Sequence, residues 1–458
     1  MTVQSTVQSA APALPLASPS PGRQGVPRTI ARWWPLLPLV VTVLLLAAPL
    51  PAGSEAGAGG LAPADVASAG LVGFALVRTL RQRARPLTAV SAVVFALPAL
   101  AVTVATVTAA DPMAGLTGYV RYLQVFVLVP TAVVLLLRDT RDFRVVTGAL
   151  ALLALAQGAI GVHQYATGTG ASYMGEDIRA VGTFGPTDVM GMATVVAYGL
   201  LAAAAVALRP PDGAPRWLRP LAVATTAALV LPLALSFSRG TWIATALAAF
   251  AVIVLTGVAR AVRVLLVLTA VSVVLVGGLG VGSELVAQRL TSITQVTDAP
   301  DRSVTDRYTM WSAAASMWRE EPVHGVGLKG FPTHRDGHAS IGLSSGSDTA
   351  GAGRAFQRQP LLSPHNMYLL ILSEQGLIGA TAFIGSWGAI LLGSLRRLRE
   401  RRGAADCGLA AVALMIWQTV DFLYADIGGP STVLTGVVLG LAAWWALAPA
   451  APDGAKTA

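Results

Sequence analysis

Three side chains in this sequence combine residue types that could carry out chemistry together. Arg239 lies between two apolar stretches, Arg307 lies in the long polar segment 283–364, and His365 directly follows that segment. Guanidinium groups bind the oxygens of a diphosphate through paired hydrogen bonds. An imidazole of near-neutral pKa accepts a proton from a hydroxyl group. The three residues therefore predict a site that holds a diphosphate and activates a hydroxyl.

Further polar residues are expected on the same side of the molecule. Arg179 begins the stretch Arg-Ala-Val-Gly-Thr-Phe, and Arg121 lies near the start of the fourth apolar stretch. Asn366 could orient His365 or a substrate hydroxyl. Simpler roles stay open, because an isolated Arg can anchor to lipid headgroups and a His at a helix start can be a cap.

The elements that must position these residues are membrane helices. Apolar residues make up 54% of the chain and charged residues 12%, and spans of about 17–25 apolar residues are typical of transmembrane helices. We predict an all-α polytopic protein with twelve spans and one large extracytoplasmic loop. The spans lie near 33–52, 61–77, 87–108, 117–137, 145–165, 187–208, 220–237, 241–259, 262–282, 376–394, 405–424 and 431–449.

The basic residues predict the orientation of these spans. Most Lys and Arg fall on alternate segments that share one side with the N-terminus, whereas Arg121, Arg179 and Arg239 and the loop fall on the other. Short cytoplasmic loops are enriched in Lys and Arg. Both termini are thus predicted inside and the loop outside. The net charge of +9 reflects this topology and anionic lipid rather than nucleic acid.

The predicted organisation has five parts. A disordered cytoplasmic tail (1–32) precedes spans one to nine (33–282), the extracytoplasmic catalytic loop (283–364), spans ten to twelve (365–449) and a short cytoplasmic tail (450–458). The first apolar segment could instead be the core of a signal peptide, although the leader before it is unusually long.

The loop itself is predicted to contain an amphipathic helix from Val304 to Glu320. Its stripe of aromatic and apolar residues (Tyr308, Trp311, Ala315 and Trp318), here called the aromatic stripe, suits either the membrane–water interface or the core of a small packed lid. Residues 323–329 are predicted to form a turn and 335–360 a mobile flap.

Several other classes of chemistry find no support in the sequence. Cys407 is single, and the five His are scattered without metal-ligand spacing, so no metal or cofactor is expected. A phosphate-binding Gly loop followed by Lys and a Gly-x-Ser-x-Gly elbow are both absent from the sequence.

Four motifs in order resemble the O-antigen ligase and polymerase superfamily. They are Ser238-Arg239-Gly240, Asp306-Arg307-Tyr308-x-x-Trp311, Pro322-x-x-Gly325-x-Gly327 and His365-Asn366-x-Tyr368-Leu-x-x-Leu372-x-Glu374-x-Gly376, and the resemblance runs from about Arg179 to Gly379. Pro186-Thr187-Asp188 departs from the family pattern, which expects Asn after Pro.

The resemblance implies a metal-independent, inverting glycosyltransferase in a bacterial cytoplasmic membrane. Its donor would be a glycan on polyprenyl diphosphate, and its acceptor a glycan, lipid or protein hydroxyl. By motif position, Arg239 and Arg307 would bind the diphosphate and His365 would serve the acceptor. Further candidate substrate-binding residues are Arg121, which lies outside the range of the resemblance, and Arg179, Ser238, Trp311, Asn366, Tyr368 and Glu374.

Alternatives from other classes stay open. A secondary solute transporter fits the number of spans, but transporters often contain inverted repeats, which the two halves of this sequence do not show. A non-catalytic scaffold would leave the Arg and His set unexplained. Ligase and polymerase cannot be separated, because both need the same donor site.

Overall fold

A computed structural model describes residues 33–48, 62–83, 87–173, 178–185, 188, 190–272, 302–400, 404–429 and 431–448. Its described part is mostly helical, with a small three-stranded sheet. The helices are α1 (Leu37–Leu44), α2 (Pro63–Gln82), α3 (Ala89–Val107), α4 (Pro112–Leu123), α5 (Val129–Leu136), α6 (Thr140–Thr167), α7 (Gly191–Leu208), α8 (Leu218–Leu235), α9 (Arg239–Leu255), α10 (Val258–Ser272), α11 (Arg302–Glu320), α12 (Phe331–His338), α13 (Met367–Glu400), α14 (Ala405–Asp421) and α15 (Thr432–Leu447). The strands are β1 (Ala171–Tyr173), β2 (Ser347–Gly351) and β3 (Arg354–Gln359).

Seven helical segments in the described ranges are long and apolar enough to cross a membrane. They are α2, α3, α4 with α5, α6, α7, α8 and α13, and shorter apolar helices run over Trp34–Ala47, Arg239–Leu255 and Thr432–Leu447. A five-residue π-helix (Gln124–Leu128) joins α4 to α5. The multi-pass helical architecture is therefore confirmed, and the number of twelve spans stays a prediction, as do the domain boundaries.

Arginine side chains join different helical segments at both ends of the bundle. At one end, Arg144 pairs with Asp406 at 2.6 Å, and Arg397 donates to the Ala448 carbonyl at 2.5 Å. At the other end, Arg121 donates to the Gly429 carbonyl at 2.7 Å. The second end gathers segments that the sequence places on one side of the membrane, so the helix order agrees with an alternating path.

The long polar segment is folded wherever the structure describes it, including the range 335–360 of the predicted flap, whose mobility stays a prediction. Part of that range forms α12, and β2 and β3 form an antiparallel hairpin. Strand β1, between α6 and α7, pairs with β2, so the all-α prediction needs this small sheet added. Gly and Ser favoured the turns of a hairpin here rather than disorder.

Helix α11 packs as a lid, but not through the predicted aromatic stripe. The buried residues are Met310, Ala313, Ala314 and Met317, which contact Phe331 and Leu361. Tyr308 is 61% exposed. The packed-lid interpretation is thus confirmed with a Met/Ala core, because these small and unbranched side chains allow close packing against α12 and α13.

Helix α13 begins earlier than the predicted tenth span and is broken at Gly376, where φ is 60° and ψ is −158°. The loop 322–327 inserts into this break. The N–H groups of Leu377 and Ile378 donate to the carbonyls of Pro322 (2.9 Å) and Val323 (3.2 Å), and the Val326 N–H donates to Ser373 at 2.9 Å. Loop and helix therefore exchange the backbone hydrogen bonds that a straight helix would have formed internally.

Candidate active site

The candidate site is built around the short connection between α14 and α15, residues 422–429, here called the connector. The N–H of Met367 donates to the carbonyls of Phe422 (2.9 Å) and Ala425 (3.0 Å), and Asn366 Nδ2 donates to the Leu423 carbonyl at 3.1 Å. The first turn of α13 is thereby fixed to the connector. His365, which directly precedes this turn, takes its position from these contacts.

His365 has a φ of +48°, a left-handed conformation that costs free energy for a residue with a side chain and recurs at functional sites. Contacts on both sides hold it. The Trp311 indole on α11 donates to the Pro364 carbonyl at 2.8 Å, and Asn366 Oδ1 caps α13 by accepting the Leu369 N–H at 3.1 Å. Trp311 and Asn366 thus position the backbone on either side of His365.

Charged groups from two other elements lie within electrostatic range of the His365 imidazole. Burial lowers the pKa of His365, the negative charge of Asp426 on the connector raises it, and the positive charge of Arg307 on α11 lowers it. Burial is the largest of these influences, so the imidazole favours its neutral form. A neutral imidazole is the form that can accept a proton.

Each of two carboxylates at this site has one oxygen without a hydrogen-bond partner among the described residues. Among the described residues, Asp426 Oδ2 and Asp421 Oδ1 are buried without a hydrogen-bond partner. Arg307 and Asp426 both lie within electrostatic range of Asp421. The sequence argument did not select Asp426, and its position just after the eleventh predicted span, on the predicted outer side, was the available signal.

Arg239 begins α9, and its helix packs on the same connector. Ser238 caps α9, with its Oγ accepting the Thr241 N–H at 3.4 Å. A Cβ added at Gly240 would lie 3.3 Å from Tyr424. The residue before the cap, Phe237, has a φ of +50°. The Ser-Arg-Gly motif thus brings the base of Arg239 beside the connector that carries Asp426.

Arg121 and Arg179 have different surroundings. Arg121 pairs with Asp65 and reaches the connector through the Gly429 carbonyl. Arg179 exchanges two backbone hydrogen bonds with Ala171, at 3.0 and 2.8 Å, in an isolated β-bridge. Its neighbour Ala180 donates to Leu235 at 3.1 Å, which places this stretch beside the end of α8.

Two of the motif residues make internal contacts. The Tyr368 hydroxyl donates to the Thr419 carbonyl at 2.8 Å. Glu374 is buried, and its Oε1 accepts the Phe331 N–H at 3.2 Å. Both contacts join α13 to neighbouring elements, so these residues have structural roles whatever they do to a substrate.

In the part of the chain that the structure describes, no group of three or more His, Cys, Asp or Glu is placed to hold a metal ion. The chemistry available is that of guanidinium, imidazole, carboxylate and hydroxyl groups.

Fold and site together define a multi-pass helical membrane protein with a basic, imidazole-containing site at one end of its bundle. Residues 224–384 match the family model described as O-antigen ligase. The match confirms the resemblance to the O-antigen ligase superfamily and includes Arg239, Arg307 and His365. It runs from within α8 through α9, α10, α11, α12, β2 and β3 to the first half of α13. Among curated proteins, no match is found.

Proposed function

We propose that this protein is a glycosyltransferase that moves a glycan from polyprenyl diphosphate to an acceptor hydroxyl at the outer face of the bacterial cytoplasmic membrane. The single observation that carries the proposal is that Arg307 and Asp426 lie within electrostatic range of His365, next to the connector against which the start of the Arg239 helix lies. The family match supports the class of reaction.

In the proposed reaction, the guanidinium groups of Arg239 and Arg307 bind the diphosphate. They stabilise the negative charge that grows on the leaving oxygen as the bond between the anomeric carbon and that oxygen breaks. His365 accepts the proton of the acceptor hydroxyl, whose oxygen forms the new bond to the anomeric carbon. Direct displacement from the opposite face inverts the configuration at that carbon. The reaction needs no metal ion or nucleotide in this scheme, because the diphosphate is already an activated leaving group.

The lid formed by α11 and α12 positions the donor and the acceptor in this scheme. Arg307 and Trp311 share α11, so the same rigid helix carries a diphosphate ligand and fixes the backbone at Pro364. Correct alignment of donor and acceptor can supply several kcal/mol of the barrier, up to about 7–11 kcal/mol. The proposed topology, with both termini cytoplasmic and the site outside, follows from the distribution of basic residues.

The test uses the full-length purified protein, lipid-linked oligosaccharide from its host, and Arg307→Ala. Arg319→Ala is the matched control, because Arg319 is an exposed arginine on the same helix. We expect release of polyprenyl diphosphate by the parent and by Arg319→Ala, and a loss of about a hundredfold or more in Arg307→Ala.

The products decide between two activities within the class. A ladder of lengthened glycans would identify a polymerase, and transfer of an intact chain to a different acceptor would identify a ligase. Absence of polyprenyl diphosphate release by the parent, with donor and envelope acceptors both present, would refute the proposed function and direct attention to solute uptake.

A further inference from the structure

We propose that Arg121 is a positioning residue that holds the connector in place through Asp65, and that it is not a ligand of the donor diphosphate. The role at the active site rests on the proposed function, while the mechanical role does not. The inference gives α2 and α4 a part in building the site, although both helices lie outside the matched family segment.

The Arg121 guanidinium already has acceptors on three elements. Its Nη1 pairs with Asp65 on α2 and donates to Gln124 Oε1 at 3.0 Å, and its Nη2 donates to the Gly429 carbonyl at 2.7 Å. Only 24% of the Arg121 side chain and 13% of the Asp65 side chain are exposed. These contacts engage three of the five N–H donors of the guanidinium, and the pairing with Asp65 offsets much of the charge that would attract a phosphate.

Asp65 is itself held firmly. Gln124 Nε2 donates to Asp65 Oδ1 at 3.1 Å and to Ser68 Oγ at 2.7 Å, and Asp65 Oδ2 accepts the Ala62 N–H at 3.2 Å. The π-helix that begins at Gln124 accompanies this arrangement, and such turns often occur at functional positions. The network therefore presents the Arg121 guanidinium to the connector in a fixed direction.

Asp188 lies against the same end of the connector and binds the residue Ser431 just beyond it. Asp188 Oδ2 accepts the Ser431 N–H at 3.3 Å, and a Cβ added at Gly429 would lie 2.7 Å from the same oxygen. Gly429 has a φ of +68°. Arg121 and Asp188 thus both contact the connector at Gly429, three residues beyond Asp426. Loss of these contacts would shift Asp426 relative to His365.

The positioning role and the ligand role predict different kinetic effects of a substitution at Asp65, so two variants separate them. If Arg121 positions the connector, Asp65→Asn and Arg121→Gln both lower turnover at saturating donor by about tenfold or more, with little change in the donor KM. If Arg121 binds the diphosphate, Arg121→Gln raises the donor KM, and Asp65→Asn leaves the donor KM unchanged or lowers it by freeing the guanidinium. Arg141→Gln, at an exposed arginine elsewhere, is the control.

A spin label provides a measurement that needs no activity. Cys407 is the chain's one cysteine, so Cys407→Ala with Gly428→Cys places a single label on an exposed connector position, where an added Cβ would lie 4.0 Å from Asp426 Oδ1. We expect the label to become more mobile in Arg121→Gln and Asp65→Asn, and to stay unchanged in Arg141→Gln. Arg121→Lys keeps the positive charge and serves as the conservative variant, which is expected to retain the fold.

Unchanged label mobility in both variants, or a rise in donor KM confined to Arg121→Gln, would overturn the inference. If the parent shows no glycosyl transfer at all, the proposed function fails, and the label measurement still decides whether Arg121 and Asp65 hold the connector.

Discussion

The break in α13 at Gly376 gives the most quantitative prediction about the architecture. A Cβ added at Gly376 would lie 2.4 Å from the backbone carbon and oxygen of Val323, which real structures do not allow. The backbone conformation there is essentially restricted to glycine and costs about 1–3 kcal/mol for other residues. Loss of the two hydrogen bonds from Leu377 and Ile378 to the inserted loop adds about 1 kcal/mol each.

Gly376→Ala should therefore lower the free energy of unfolding by roughly 3–5 kcal/mol. The assay is unfolding of the purified protein in mixed micelles by increasing SDS, followed by tryptophan fluorescence. Gly385→Ala is the matched control, because Gly385 lies on the same helix with nothing within 4 Å of an added Cβ. It should be neutral or stabilising by up to about 1 kcal/mol. A Gly376→Ala variant as stable as Gly385→Ala would refute the account of the inserted loop.

Two further predictions concern the site and its lid. The acid limb of the kcat/KM profile should lie below the usual His pKa of about 6.5, because a lowered His365 pKa keeps the imidazole neutral at lower pH. It should move to still lower pH in Asp426→Asn and to higher pH in Arg307→Gln, whereas shifts of the same sign would contradict the arrangement. Separately, Asp306 accepts both the N–H (2.9 Å) and the hydroxyl (2.5 Å) of Ser344. Asp306→Ala should destabilise the lid by about 1.5–3 kcal/mol and speed its limited proteolysis more than Ser344→Ala does, and equal proteolysis rates would count against this tie.

The sequence was sufficient to predict the membrane architecture and the motif residues. Long apolar stretches and the asymmetry of basic residues are local signals, and they led to the helix that begins at Arg239 and to the helix that follows His365. The motif glycines Gly325 and Gly376 were identified as part of a resemblance. Their physical role, close backbone approach between a loop and a broken helix, became evident only from the structure.

What the sequence could not predict depends on contacts between distant segments. Asp426 was marked only by its position after the eleventh predicted span, and Asp188 only by a departure from the family pattern. Both matter because of the distant segments that meet at the connector. The pairing of β1 with β2 joins residues that are far apart in the chain, and Gly and Ser in a hairpin resemble disorder when strands are not recognised. The aromatic stripe of α11 misled for a similar reason, since the partner surface decides which helix face is buried.

The most direct measurement of the central claim is the rate at which purified protein releases polyprenyl diphosphate while transferring its glycan. The comparison is among the parent, His365→Ala, and His163→Ala, in which an exposed histidine is replaced. The proposed mechanism predicts that His163→Ala keeps the parental rate and that His365→Ala loses at least about a hundredfold. A parental rate in His365→Ala at neutral pH would contradict the role of His365 as the base and, with it, the proposed arrangement of the site.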